Sequence, residues 1–145
     1  MKLATWVVVI AALVGLVLSS LSLVEHYRKD DSEFCNINET FNCDYVNRSE
    51  YSQLGPVPVA GIGLAGYVFL LVLARFRSRS VAWFRLFAAA GGLSFALYLT
   101  YLEKYVLAVW CILCLGSLAM ISLITMASAG LVFQRPKPAG EHSEP

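Results

Sequence analysis

Residues 101–133 read YLEKYVLAVWCILCLGSLAMISLITMASAGLVF. From Tyr105 onward the stretch carries no charge, and it is longer than the ~20 residues needed to cross a bilayer core. Near its head stands a Cys-x-x-Cys pair, Cys111 and Cys114. A disulfide across two intervening residues closes a very small ring, so it removes little loop-closure entropy. Such a pair is a poor staple and a good redox switch. A helix beginning between residues 106 and 110 would aim its N-terminal amides at these sulfurs, and the thiolate is the species that attacks a disulfide. The plainer reading of the pair alone is two small apolar side chains buried in a membrane helix.

Working outward, the chain of 145 residues is 58% hydrophobic and 14% charged, with a mean hydropathy of +0.65. That is one domain's length with too little polar surface for a soluble one. Three further apolar runs precede the quoted stretch. Residues 3–24 are uncharged. Residues 58–74 begin at Pro58, suited to a first helical turn. Residues 81–102 contain only Arg85, one turn from the start and able to snorkel to the interface. The weak small-x-small pattern SLS at 20–22 does not make the first run a signal peptide, because the apolar stretch continues past it to Val24. The expectation is an all-α integral membrane fold: a four-transmembrane-helix bundle with an external cysteine-containing loop between helices 1 and 2. The spans fall at 3–24, 58–74, 81–102 and 106–133 within one domain (1–135). The external loop is 25–57, and a polar cytoplasmic tail follows at 136–145. Gly61, Gly63, Gly66, Gly91 and Gly92 read as places where helices approach closely.

Lysine and arginine set the orientation. Arg75, Arg77 and Arg79 stand in RFRSRS, the tail begins QRPKP, and Lys2 precedes the first span. These places belong in the cytoplasm, with both termini. The 25–57 loop sets Arg28, Lys29 and Arg48 against Glu25, Asp30, Asp31, Glu33, Glu39, Asp44 and Glu50, and belongs outside. The location expected is a cell membrane, crossed several times, with all four cysteines on the oxidising face: periplasm, archaeal exterior, or ER lumen in a eukaryote. No basic patch suggests nucleic acid.

The second cysteine pair lies in FCNINETFNC, residues 34–43. Two pairs on one membrane face can pass a disulfide by exchange. A zinc site is the competing reading, but the spacing of Cys35 and Cys43 is wider than zinc knuckles use. Two purely structural disulfides in a non-enzymatic membrane protein are another. No nicotinamide, P-loop, haem or flavin signature is present, so no metal or flavin is expected. A lipid-soluble quinone in the apolar bundle interior is the electron sink this leaves.

The order of these features resembles the vitamin K epoxide reductase family, in its small stand-alone prokaryotic form, over residues 5–130. The matching elements are Cys35 and Cys43, Ser49 in CDYVNRS, the run SEYSQLGPVPVAGIGLAGY at 49–67, and Cys111 and Cys114 opening helix four. The resemblance implies a membrane disulfide-generating oxidoreductase. A separate thioredoxin-like (DsbA-type) partner attacks Cys35, and Cys43 then attacks Cys111. Cys114 delivers electrons to a quinone: menaquinone, ubiquinone or phylloquinone. It implies a hydrogen-bonding role near the quinone for Ser49, which by itself would read as a helix cap or the end of a sequon. Members specialised for vitamin K epoxide carry a tyrosine where this chain has Leu118, and an asparagine that PVPVAGIG lacks. Quinone reduction is therefore expected ahead of epoxide reduction. No thioredoxin-like domain is expected to be fused. The bacterial DsbB family, a four-helix thiol oxidase with its pairs in the opposite order, is the alternative.

Trp110, Tyr101 and Tyr105 read as an interfacial aromatic belt, with Trp110 and Tyr101 as candidate quinone contacts. Phe34, Phe41, Tyr51 and Leu54 are candidates to rest the loop on the bundle. His26 reads as an interface residue. Asn38 and Asn47 head glycosylation sequons that matter only in an ER.

Overall fold

The computed structural model describes residues 2–30 and 36–134. Cys35, Phe34 and the 136–145 tail lie outside them. Four long helices dominate: α1 (Lys2–Tyr27), α3 (Val59–Arg75), α4 (Arg79–Leu102) and α5 (Ile112–Phe133). Between α1 and α3 come the short α2 (Cys43–Asn47), a 3-10 turn (Glu50–Ser52) and two antiparallel two-residue strands, β1 (Gln53–Leu54) and β2 (Val57–Pro58). Gly55, at φ +63°, makes the turn between the strands; that backbone region favours glycine.

Three helices are long and apolar enough to cross a membrane: Lys2–Tyr27, Arg79–Leu107 and Ile112–Phe133. The apolar α3 is shorter, at 17 residues. Large apolar side chains such as Val17, Phe87 and Met126 point outward. These helices are apolar on all sides, the pattern of a hydrocarbon surrounding rather than water.

Helix α5 packs against both α1 and α4, α1 packs also against α3, and α3 meets α4 only sparsely. The core joins Val8, Ala11 and Ala12 of α1 to Tyr67 and Leu70 of α3, Ala89 of α4 and Ile124 of α5. Small residues on α1 let its neighbours in. The tightest approaches fall at Gly15 against the Tyr67 ring and at Gly116 against Leu18, two glycines the sequence did not single out. Of those it did, Gly66 and Gly91 would place a Cβ in open space, and Gly61 is loosely packed. Only Gly63 against Ser19 and Gly92 against Ile121 are close.

The fourth long helix starts later than hydropathy suggests. Helix α4 runs on as a π turn (Glu103–Leu107), and Ala108 takes a left-handed conformation at φ 55°. The chain is extended at Cys111, which caps α5. An uncharged sequence conceals this break, because it is made by backbone geometry and by one buried carboxylate, described below. Arg85, expected to snorkel, is instead 4% exposed. It lines a small hollow with Lys2 and Arg77 at the end of the bundle remote from the cysteines.

The connection after α1 folds over the other end. Trp110 N–H donates to the Thr40 carbonyl (2.7 Å), and Asn42 N–H donates to the Trp110 carbonyl (3.0 Å). Asn36 donates to Asp44 Oδ2 (2.6 Å). Arg48 donates to the carbonyls of Arg28 (2.6 Å) and Asp30 (3.1 Å). His26 meets the Asn47 carbonyl through Nδ1 and Gln53 through Nε2. The histidine is thus a tether between α1 and the loop.

Candidate functional site

Local signals bring the cysteines together. Asn42 caps α2 by accepting Tyr45 N–H (3.0 Å), which sets Cys43 at the first position of that helix. Cys111 caps α5 through its own sulfur, which accepts Cys114 N–H at 3.4 Å. The backbone pairing of 40–42 with Trp110 then lays α2 against the start of α5. Cys43, Val46, Cys111 and Leu113 form one buried cluster, with both cysteines fully shielded from solvent.

Cys43 is disulfide-bonded. Cys111 and Cys114 are free thiols, the first buried and the second partly so. The amide of Asn47 approaches Cys111 Sγ at 3.8 Å. Cys111 Sγ therefore meets two N–H donors, an arrangement that stabilises negative charge on a sulfur.

Below Cys114 lies a cavity of about 390 Å³ bounded by α1, α3, α4 and α5. That volume lies in the range of small-molecule sites. Its walls are mostly apolar, from Phe69, Leu70, Phe95 and Leu99 among others. Gly63, Gly66, Gly91 and Gly92 also line it. The sparse meeting of α3 and α4 is this space, and glycines on both helices widen it. The polar groups are few: Ser49, Asn47 and Tyr51 from the loop, Tyr67 from α3, Glu103 and Ser117. The Tyr67 hydroxyl donates to the Ser117 carbonyl at 2.8 Å and lies 2.8 Å from Ser117 Oγ.

Of the residues expected at the site, Cys43, Cys111, Cys114 and Ser49 come together at one end of the bundle. Ser49 donates its hydroxyl to the Val46 carbonyl (2.8 Å) and faces the cavity. Trp110 and Tyr101 do not line the cavity. Trp110 contributes backbone to the loop pairing. Tyr101 is 57% exposed and packs on Tyr105 at 4.8 Å between ring centroids. Cys35 lies outside the described residues. Among the described residues, no group of three or more His, Cys, Asp and Glu side chains converges as a metal site.

Glu103, Asn47 and Tyr67 are site residues that sequence reading did not select. Glu103 was the accessible one. It is the sole acid between residues 81 and 133, and an acid at membrane depth is functional more often than not. It falls in the three residues left between the expected spans 81–102 and 106–133, where a charge is unremarkable. Its side chain is 2% exposed. Its Oε2 accepts Cys111 N–H at 3.1 Å, and its carboxyl lies close enough to the Cys114 thiol to interact with it.

The arrangement offers one continuous chemical path. A disulfide-bonded cysteine adjoins a buried thiol, and that thiol adjoins a second one facing an apolar cavity. The model of a family described as "Vitamin K epoxide reductase family" matches residues 6–129, which takes in α3, α4, most of α1 and α5, both cysteine pairs and the cavity lining. No curated protein matches the chain.

Proposed function

The chain belongs to the vitamin K epoxide reductase family, and on that premise we propose that it generates disulfides at the expense of a membrane quinone. Family membership makes it a membrane oxidoreductase; the relay, the quinone and the partner are the proposal. The observation that carries it is the shared burial of Cys43 with Cys111 while Cys114 opens on the cavity.

A thiolate of a separate thioredoxin-like protein attacks Cys35 of the Cys35–Cys43 disulfide, and Cys43 leaves. Cys43 then attacks Cys111 of the inner disulfide, and Cys114 leaves. The partner's second thiol resolves its mixed disulfide with Cys35, and the partner leaves oxidised; the freed Cys35 then attacks Cys43 of the Cys43–Cys111 bond, which restores the loop disulfide and leaves the inner pair as thiols. The inner dithiol then gives two electrons and two protons to the quinone, and the Cys111–Cys114 bond closes. The apolar walls hold the quinone ring and exclude water. Ser49 is the hydroxyl proposed to reach a quinone oxygen, turning to it from the Val46 carbonyl. Leu118 offers none, which favours quinone over vitamin K epoxide as substrate.

In this reading α3 is the fourth span. At ~1.5 Å per residue its length is about 26 Å, slightly under a hydrocarbon core of ~30 Å, a mismatch that local bilayer thinning absorbs. The bases at 75, 77 and 79 keep both termini in the cytoplasm and put the cysteines outside.

Complementation tests the whole reading. The chain, expressed in a bacterium lacking its own membrane thiol oxidase, restores disulfide formation in exported proteins when a compatible thioredoxin-like partner is co-expressed. Cys111→Ala and Cys114→Ala abolish it. Full restoration by either variant would show that the inner pair carries no electrons.

A further inference from the structure

The relay leaves unused one buried ionisable group that holds one inner cysteine by its backbone and shares the cavity with the other. Glu103 occupies the first position of the π turn (Glu103–Leu107). The left-handed residue Ala108 turns the chain back from there, and Val109 N–H closes onto the Glu103 carbonyl at 3.1 Å. This fold-back sets the Glu103 carboxyl opposite the start of α5. There its Oε2 holds the Cys111 amide at 3.1 Å, and the carboxyl lies close enough to the Cys114 thiol to interact with it. Glu103 and Cys114 both line the cavity. A carboxyl that is itself 2% exposed, a thiol and the space for an electron acceptor therefore meet at one point.

We infer that Glu103 is a catalytic proton carrier, taking the Cys114 thiol proton and handing it to a quinone oxygen in the cavity. The inference rests on the quinone-reducing reading above. Two thiols and one quinone become one disulfide and one quinol. Two S–H bonds break, one S–S bond and two O–H bonds form, and two electrons pass from sulfur to the quinone. Glu103 carries the first proton across and returns to its starting state. The Cys111 proton follows through the same carboxyl. Water is a poor proton carrier in a mostly apolar cavity, and a carboxyl placed between donor and acceptor can serve both transfers.

Neighbouring ionisable groups leave this role to Glu103. Tyr51 and Tyr67 line the same cavity, but the Tyr67 hydroxyl is engaged by Ser117. Lys104 holds its ammonium over the Tyr105 ring, 5.1 Å from the centroid. The buried acids of α1 and α2 are held elsewhere, Glu25 by Arg28 at 3.4 Å and Asp44 by Asn36 at 2.6 Å. A purely structural Glu103 would do no more than anchor the Cys111 amide, and a glutamine does that equally well.

The test uses the full chain in lipid nanodiscs, chemically reduced and then mixed with a short-chain ubiquinone analogue, with quinol formation followed by absorbance across pH. E103Q is expected to keep the wild-type thermal midpoint and to slow quinone reduction by roughly a hundredfold near neutral pH. The deficit should shrink as pH rises and hydroxide substitutes for the carboxyl. E103D, which retains a carboxyl, is expected within about tenfold of wild type and with the wild-type pH profile. It decides the matter alone should E103Q fail to fold. Wild-type rates and profile in E103Q would overturn the inference and leave the quinone reading intact, as would an E103D profile that climbs with pH like unassisted thiol oxidation. A wild-type chain that reduces no quinone would overturn both.

Discussion

Gly15→Ala adds one methyl group where α1 crosses α3. That methyl would lie 2.7 Å from Tyr67 Cδ1 and nearer still to Cε1 and Cζ. Ordinary carbon–carbon contact is ~3.5–4.0 Å, so the ring must retreat by about 1 Å or more. It has little freedom to do so. Tyr67 is 4% exposed, and its hydroxyl is fixed by Ser117 at 2.8 Å. Overpacking a core costs about 1–3 kcal/mol. Pulling the hydroxyl off its acceptor adds about 1 kcal/mol. The expected loss is therefore ~2–4 kcal/mol. Equilibrium unfolding in mixed micelles measures it, and a double-mutant cycle identifies its origin. In a Tyr67→Ala background the new methyl has room, so Gly15→Ala should there cost under about 0.5 kcal/mol. The displaced ring also narrows the cavity, so KM for quinone should rise in the single variant. A Gly15→Ala protein as stable as wild type, or a cost equal in both backgrounds, would refute the packing argument.

Two further outcomes follow from the same geometry. Gly91→Leu meets no protein atom within 4 Å of its new Cβ yet enters the cavity. It should hold or raise the thermal midpoint, with a helix-propensity gain of ~1 kcal/mol, while quinone turnover falls at least about tenfold through KM, a ~1.4 kcal/mol effect. Gly130→Leu has equal room and lies away from the cavity, so it serves as the control that leaves turnover unchanged. Ala108→Gly relieves a left-handed alanine at φ 55° and should stabilise the protein by roughly 1 kcal/mol, read as a higher thermal midpoint.

Much of the architecture was legible because lipid writes a simple code. Apolar runs at 3–24 and 81–102 mark α1 and α4 to within a few residues, and Pro58 marks the start of α3. The fourth run misled about its own beginning, since hydropathy cannot distinguish a helix from a π turn and an extended cap built of the same apolar residues. Glycines in α3 and α4 read as contact points, but Gly66 and Gly91 face empty space, because sequence shows that a side chain is missing and not what stands opposite. The cysteine pairs and Ser49 were found by type and order. Glu103 and Asn47 were not, because their meaning depends on Cys111, 8 and 64 residues away. Trp110 was singled out for its ring, and the structure uses its backbone. Loop docking of this kind leaves no periodicity to read.

The most direct test of the account is a single turnover on the inner pair alone. A chain carrying Cys35→Ala and Cys43→Ala is reduced, freed of reductant and mixed with excess short-chain ubiquinone under anaerobic conditions, with quinol followed by absorbance and thiols by mass spectrometry. The account predicts one quinol per chain, formed together with a Cys111–Cys114 disulfide, and none when Cys114 is also replaced by alanine. Quinol formation that survives the loss of Cys114, or an inner dithiol that stays reduced beside quinone, would contradict it.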